Sequence, residues 1–354
     1  MILALETSCD DTCAAVISAD GEIRSNVISS QGVHDRYGGV VPEIASRHHL
    51  DLIGAVLDDT LSRAQVSLAD IELIGVTQGP GLVAALLVGV STAKALAAVN
   101  RTPLAAVDHL HGHIAAGFLG GRDTGSFEPP FLGLIASGGH TLLAHVRDHG
   151  PGFEVIGQTV DDAAGEAFDK GARMLGLGYP GGAALERLAR EGDPEAFEFP
   201  TARRLQGLDF SFAGLKTALL YRVRELGDAE AERRRADLAA SYQRAIVEAL
   251  AIRVERAITQ TGLRRLAIGG GVAANGPLRE RLASLGVELD VPARELCTDN
   301  AAMIASAARY VEAMSYPRYL DLDVYATGEC AGLPPARHSA SPDRAGPASS
   351  GLAA

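Results

Sequence analysis

Two imidazoles four residues apart raise the first question of chemistry. In Asp108-His109-Leu110-His111-Gly112-His113, a helix from His109 onward puts His109 and His113 on one face, the spacing with which two imidazoles grip one metal ion. Two ligands do not make a site. The acidic group that would complete it is Asp299, in Cys297-Thr298-Asp299-Asn300 at the start of another helical pattern. The same spacing also suits two polar rings on a solvated helix face, so the pair alone does not decide. A zinc peptidase would carry Glu beside the first His as general base, and that place is Leu110.

Carboxylates gather at two further places. Asp10 and Asp11 sit at the first bend of the chain, where they could steer a metal or a water, or simply form the turn. In Asp161-Asp162-Ala163-Ala164-Gly165-Glu166-Ala167-Phe168-Asp169-Lys170, helical spacing puts Asp162, Glu166 and Asp169 on one face; a solvated acidic face has the same pattern. Tyr179-Pro180-Gly181-Gly182 follows at once, and its Gly turn and helix start suit a ribose or phosphate.

The elements that must carry these groups repeat. Ile2–Leu5, Cys13–Ser18 and Ile23–Ile28 read as a three-stranded meander, followed by a helix from Pro42 to about Arg63. Strand Ile71–Thr77 meets Gly79-Pro80-Gly81 and an apolar helix from Leu82 to about Val99; Leu104–Val107 leads into the histidine helix. The order then returns. Phe131–Ala136, Thr141–Val146 and Phe153–Gln158 are strands around the bend Ser137-Gly138-Gly139-His140. Helices are expected at Ala163–Leu175, Gly182–Arg190, Leu215–Leu226 and Ala229–Gln260, before strand Leu266–Ile268 meets Gly269-Gly270-Gly271. A helix Ala301–Met314 should pack back on the first half, and Asp321–Ala326 should add a last extended segment.

Such a duplication is how the α/β fold of the actin-like, sugar-kinase-like ATPase superfamily is built: two ribonuclease H-like domains with a nucleotide and metal cleft between them. Residues 1–107 with about 299–326 would form the first, 108–298 with helical insertions the second. Residues 327–354, rich in Pro, Ser, Ala and Gly, should be a disordered tail. Gly-rich bends let backbone amides approach phosphate, and helix N-termini face the same anion.

At 354 residues the chain exceeds one ordinary core, and an apolar share of 47% can fill two. A net charge of −12 excludes a generally basic coat for nucleic acid but leaves room for a local patch, with Arg203-Arg204 and Arg233-Arg234-Arg235 the candidates. Cys9, Cys13, Cys297 and Cys330 show no CxxC spacing. Free thiols, no disulfide, and a cytoplasmic location without membrane attachment are the expectation. The apolar helix Leu82–Val99 could be core or the face of a homodimer.

Several stretches together make the chain similar to the tRNA N6-adenosine threonylcarbamoyltransferase family over nearly all of 1–326: Glu6-Thr7-Ser8-Cys9-Asp10, Tyr37-Gly38-Gly39-Val40-Val41-Pro42-Glu43, Gly79-Pro80-Gly81-Leu82, Ser137-Gly138-Gly139-His140-Thr141, Asp161 to Lys170, Phe210-Ser211-Phe212-Ala213-Gly214-Leu215-Lys216-Thr217, and Cys297 to Asn300. The resemblance implies an acyltransferase that moves threonylcarbamoyl from threonylcarbamoyl-AMP to N6 of the adenosine 3′ of the anticodon, in tRNAs reading codons that begin with A. It implies one divalent metal per subunit on His109, His113 and Asp299, usually iron (Fe2+) or zinc (Zn2+), with Mg2+ an option beside nucleotide. The adenylate would be held by Ile135, Ala136, Ser137, Gly138, Gly139, Asp169, Gly182, Glu186 and Asn275. Asp10 or Asp11 would assist deprotonation of the amine. Partners implied are tRNA, a non-catalytic paralogue of the same fold and a small P-loop ATPase. A metal-dependent ATPase or kinase of the same fold is the alternative. Asp11 stands where many relatives have Glu, and His111 where many have Glu, which leaves the role of that third imidazole open.

Overall fold

Strand β1 (Ile2–Glu6) is buried along its whole length, as a run of apolar side chains on both faces requires of a central strand. In the computed structural model, which describes residues 1–37, 39–120, 127–178 and 180–326, β2 (Asp11–Ile17) pairs antiparallel with β1, and β3 (Ile23–Ser30) with β2. On the other side β4 (Leu73–Gly79) and then β5 (Leu104–Asp108) run parallel. Their crossovers are α1 (Pro42–Ala64) and α2 (Val83–Asn100). After α3 (His109–Ala115), β6 (Phe131–Ala136), β7 (Thr141–Val146) and β8 (Glu154–Gln158) form a second meander. Here β9 (Arg265–Gly269) and β10 (Glu288–Asp290) add the parallel pair. The orders β3-β2-β1-β4-β5 and β8-β7-β6-β9-β10 are the same topology used twice, so the duplicated ribonuclease H-like fold is realised.

Between β8 and β9 come α4 (Ala164–Met174), α5 (Gly181–Ala189), α6 (Ala213–Leu226), α7 (Asp228–Arg233) and α8 (Arg235–Thr261). Helix α9 (Gly276–Ala283) crosses from β9 to β10, and α10 (Ala301–Ala308) follows. Three apolar clusters result. One joins α1 and α2 to the outer face of the first sheet, and one joins α4 to α9 to the outer face of the second. The third lies between the sheets and contains α3 and α10. Every residue of α10 is buried, as a helix apolar on all its faces must be; its one hydroxyl, Ser306, donates to Ala115 O at 2.7 Å.

Some boundaries depart from the sequence reading. Helix α10 ends at Ala308 rather than Met314, because the chain turns at Arg309 and brings Met314 into an antiparallel bridge with Leu104. The expected helix Ala229–Gln260 breaks at Arg234 into α7 and α8. Strand β10, three residues long, is too short to leave a periodic signal. The last described segment is extended, with Ala326 bridged to Gly81. The tail expected to be disordered, 327–354, lies outside the described residues. Helix α2 has the length and mean hydropathy, 1.6, that would suit a membrane span; here one face, from Ala85 to Ala97, is buried, and α2 packs against α1 and β4.

Two close approaches hold the second half's bends together. At Gly270, with φ +87°, a Cβ would run into the carbonyl of Ala136, and at Gly165 it would come within 2.5 Å of Ser137 O, so only glycine lets these loops touch. Asn300 does the corresponding work for the segment that carries Asp299. It is wholly buried, its Oδ1 caps α10 by accepting from Met303 N at 3.0 Å, and its Nδ2 donates to Thr298 O at 2.8 Å. Asn300→Ala should therefore cost about 1–3 kcal/mol of stability, read by urea unfolding. An unchanged midpoint would show that the cap is dispensable.

Candidate metal and nucleotide site

The junction of β5 and α3 is made by Asp108. Its Oδ1 accepts from Leu110 N at 2.8 Å and His111 N at 3.1 Å, satisfying free amides of the first turn, while Oδ2 accepts from Tyr325 Oη at 2.6 Å. The helix start is thereby fixed, and with it the face that carries His109 and His113. Their ring centroids are 4.7 Å apart, edge to face. Asp299, one residue ahead of the Asn300 cap, places Oδ1 3.5 Å from His109 Nε2 and 3.3 Å from His113 Nε2. One ligand atom from each of the three lies within 4.8 Å of the others, so residues 190 positions apart in the chain are brought together as expected of a common ion.

The electrostatics fit a cation. Both ring nitrogens of His113 are buried; among the described residues Nδ1 has no hydrogen-bond partner, and Nε2 faces only the Asp299 carboxylate, without a well-aligned hydrogen bond, a cost that a ligand at Nε2 would relieve. His109 Nδ1 lies 2.9 Å from Glu6 Oε2, which leaves Nε2 facing Asp299, the carboxylate–imidazole arrangement that orients metal-binding histidines. Glu6 is itself completely buried; Thr77 Oγ1 donates to it at 2.6 Å, and Ser8 N donates to its other oxygen. Burial pulls His109 down, but the carboxylates of Asp299 and Glu6 outweigh it and lift its pKa to about 9. Burial would raise Asp299, yet His109 and His113 hold it far below the carboxylate range. Two imidazoles and a carboxylate are donors that zinc and iron accept.

A cavity of about 580 Å³ opens beside this trio, a size usual for small-molecule sites. One wall is the β1–β2 bend with Asp10 and Asp11; the opposite wall is the β6–β7 bend with Ser137, Gly138 and Gly139, and Asp169 adds to it. A Cβ at Gly138 or Gly139 would meet nothing within 4 Å, so that backbone is open to the cavity. Asp169 Oδ1 accepts from Gly181 N at 2.7 Å, tying α4 to the start of α5, where Gly182 follows. Burial raises the pKa of Asp169 against the pull of these two amides.

The remaining expected nucleotide residues stand back from the wall. Ile135 and Ala136 end β6 with buried side chains. Asn275 caps α9, accepting from Leu278 N at 3.0 Å, and donates to Gln243 Oε1 at 2.9 Å and Glu186 Oε2 at 3.3 Å. The acidic face expected on α4 divides: Lys170 pairs with Asp162 at 2.8 Å and Glu166 at 2.7 Å, whereas Asp169 serves α5. His111 turns away from the trio, its Nε2 2.9 Å from the carbonyl of His149, and burial lowers its pKa.

Two residues were not singled out from sequence. Glu6 is one; a carboxylate closing an otherwise apolar buried strand was the available signal. His140 is the other, an imidazole inside a Gly-rich bend. It lines the cavity with its ring centroid 6.5 Å from that of His109. Burial, and then His109 and His113, push its pKa down to about 4, so it is neutral at pH 7.

Comparison with known proteins places these features in a family. A family model described as tRNA N6-adenosine threonylcarbamoyltransferase matches residues 22–306. A protein of that name from Clostridium perfringens strain SM101 is 49% identical over 316 residues, covering 88% of this chain and 92% of the relative. One from Clostridium botulinum strain 657 is 48% identical over 315 residues, covering 87% and 92%. Among solved structures, HypF from T. kodakarensis aligns over 87% of this chain and 47% of its own with a TM-score of 0.57 at 14% identity, a likeness of fold alone.

Elemental analysis of the purified chain should find about one divalent ion per molecule, and Asp299→Asn should abolish it. Glu6→Gln should weaken metal affinity about 10–100-fold without removing a ligand. Equal occupancy in wild type and Asp299→Asn would contradict the assignment.

Proposed function

The chain belongs to the tRNA N6-adenosine threonylcarbamoyltransferase family, and we propose that the cleft between the two bends is where it transfers threonylcarbamoyl from threonylcarbamoyl-AMP to the adenosine 3′ of the anticodon. The protein is a transferase that modifies tRNA. The single observation that carries the siting is the convergence of His109, His113 and Asp299 on one point at the edge of a cavity walled by Gly138 and Gly139. The two halves forming it are residues 1–107 with about 299–326, and 108–298.

The donor is a mixed anhydride, so AMP is already a good leaving group and placement is the main task. Ser137, Gly138 and Gly139 offer open backbone to the phosphate, with Asp169, Gly182, Glu186 and Asn275 fixing the helix starts around the nucleoside. Ile135 and Ala136 hold the bend at the end of β6. A metal on His109, His113 and Asp299, zinc or iron by its donors, would supply a Lewis acid for a phosphate or carbonyl oxygen. The N6 amine attacks the carbamoyl carbon, the bond to the phosphate oxygen breaks, and N6 gives up a proton. Asp11 is the acceptor we favour over Asp10. Burial is the main reason its pKa rises to about 7, with Asp299, Asp10 and Glu6 adding to it against a hydrogen bond from Ser30, and a base is most effective near the working pH. His140, neutral, borders the same space. The family resemblance adds a paralogue of the same fold, a small P-loop ATPase and a cytoplasmic setting to the proposal.

Incubation with threonylcarbamoyl-AMP, anticodon-loop tRNA and the partner proteins should yield threonylcarbamoyladenosine by mass spectrometry, and His109→Ala should reduce it about 100-fold or more. Product from the mutant at the wild-type rate would defeat the reading. The carboxylate form of Asp11 is the base, so the rate should climb as pH rises through about 7. Asp11→Asn should flatten that limb and slow the reaction about 10²-fold; a limb that persists would exonerate Asp11.

A further inference from the structure

Resting on the proposed tRNA substrate, we infer that the loop from Ala202 to Asp209, together with Lys216 on α6, is a phosphate-gripping surface for the tRNA arm that leads into the cleft. The two arginine runs legible in the sequence have opposite fates. Arg233, Arg234 and Arg235 are each paired with a carboxylate three residues away, Glu230, Asp237 and Glu232, and Arg234 also covers the Phe197 ring at 4.2 Å. Their charge is spent within the protein. Arg203 and Arg204 are exposed and have no acidic partner among the described residues, and neither has Lys216.

The loop is built to present them. Although irregular, it is anchored through its carbonyls by two arginines of α8. Arg253, buried, donates to Ala202 O at 2.6 Å and Asp209 O at 2.7 Å. Arg256 donates to Arg203 O at 2.7 Å, Leu205 O at 2.6 Å and Gly207 O at 3.2 Å. Five of the loop's carbonyls, those of Ala202, Arg203, Leu205, Gly207 and Asp209, are thereby occupied by guanidinium donors, while Arg203 and Arg204 are exposed. Its far end is fixed to the cleft side. Asp161 accepts from Ser211 Oγ at 2.5 Å and Phe212 N at 2.7 Å, and the next residue, Asp162, pairs with Lys170, which lines the cavity. Along α8, Tyr242 donates to Ala167 O on α4, and Arg253 lies eleven residues further on, roughly 16 Å of helix. On this inference, a strand whose base enters the cleft runs its phosphates over this face, where Lys216, Arg203 and Arg204 grip them. A protein of net charge −12 needs such a patch to accept a polyanion at all.

Labelled tRNA titrated with the full-length chain over a series of KCl concentrations tests this. Arg203→Gln/Arg204→Gln should weaken binding about tenfold at low salt and reduce the slope of log K against log salt by about 1.4–1.8, two phosphates' worth. Arg203→Lys/Arg204→Lys should restore most of both, which a folding defect would not. Arg233→Gln/Arg235→Gln should leave slope and affinity as in wild type. In the modification assay the loop variant should raise KM for tRNA and not for threonylcarbamoyl-AMP. A wild-type slope in the loop variant, an equal loss in the Arg233/Arg235 control, or impaired binding of a partner protein with intact tRNA binding would overturn the inference while the transferase reading stands. Wild type that makes no modified nucleoside would instead strike at that reading.

Discussion

The imidazole of His109, enclosed between the carboxylates of Glu6 and Asp299, is the constraint on which the rest depends. A buried ring in that position must carry positive charge or stand beside it, because two carboxylates removed from water repel each other and lose hydration. The chain places Glu6 at the end of a wholly buried strand and Asp299 at the entrance of a wholly buried helix. Neither can move without disturbing a core, so the charge centre is preorganised rather than assembled on demand.

Helix caps translate that constraint into architecture. Asp108 starts α3 and Asn300 starts α10, and these two helices are what the facing sheets share. Each cap satisfies its own helix and at the same time fixes a neighbouring member of the trio, His109 in one case and Asp299 in the other. The twin bends β1–β2 and β6–β7 then close on the space above. The two loops hold corresponding places in the duplicated topology, yet one brings carboxylates, Asp10 and Asp11, to the cavity and the other brings the open backbone of Gly138 and Gly139.

Much of this was readable from the chain because it rests on local pattern. The His109/His113 pair follows from helical spacing, the repeated meander from alternating apolar runs and Gly bends, and the remote Asp299 from its place before an apolar helix. What was not readable depends on tertiary contact. Nothing in the sequence says that Lys170 neutralises Asp162 and Glu166 while Asp169 turns to Gly181. Nor does composition distinguish Arg203-Arg204 from Arg233-Arg234-Arg235; only the carboxylates that surround each do so. Glu6 is hard to read from sequence because a buried carboxylate gains its meaning from the ring it faces. Helix α10 is shorter than its apolar pattern suggests because an antiparallel bridge between Met314 and Leu104 overrides helix propensity after Arg309.

X-ray absorption at the metal edge of the loaded protein addresses the central claim most directly. The account predicts a first shell of nitrogen and oxygen near 2.0–2.2 Å, about what imidazole and carboxylate give to zinc, with outer-shell scattering from two imidazoles that falls to one in His113→Ala. A shell containing sulfur from Cys9 or Cys13, or one without imidazole scattering, would place the ion elsewhere and contradict the account.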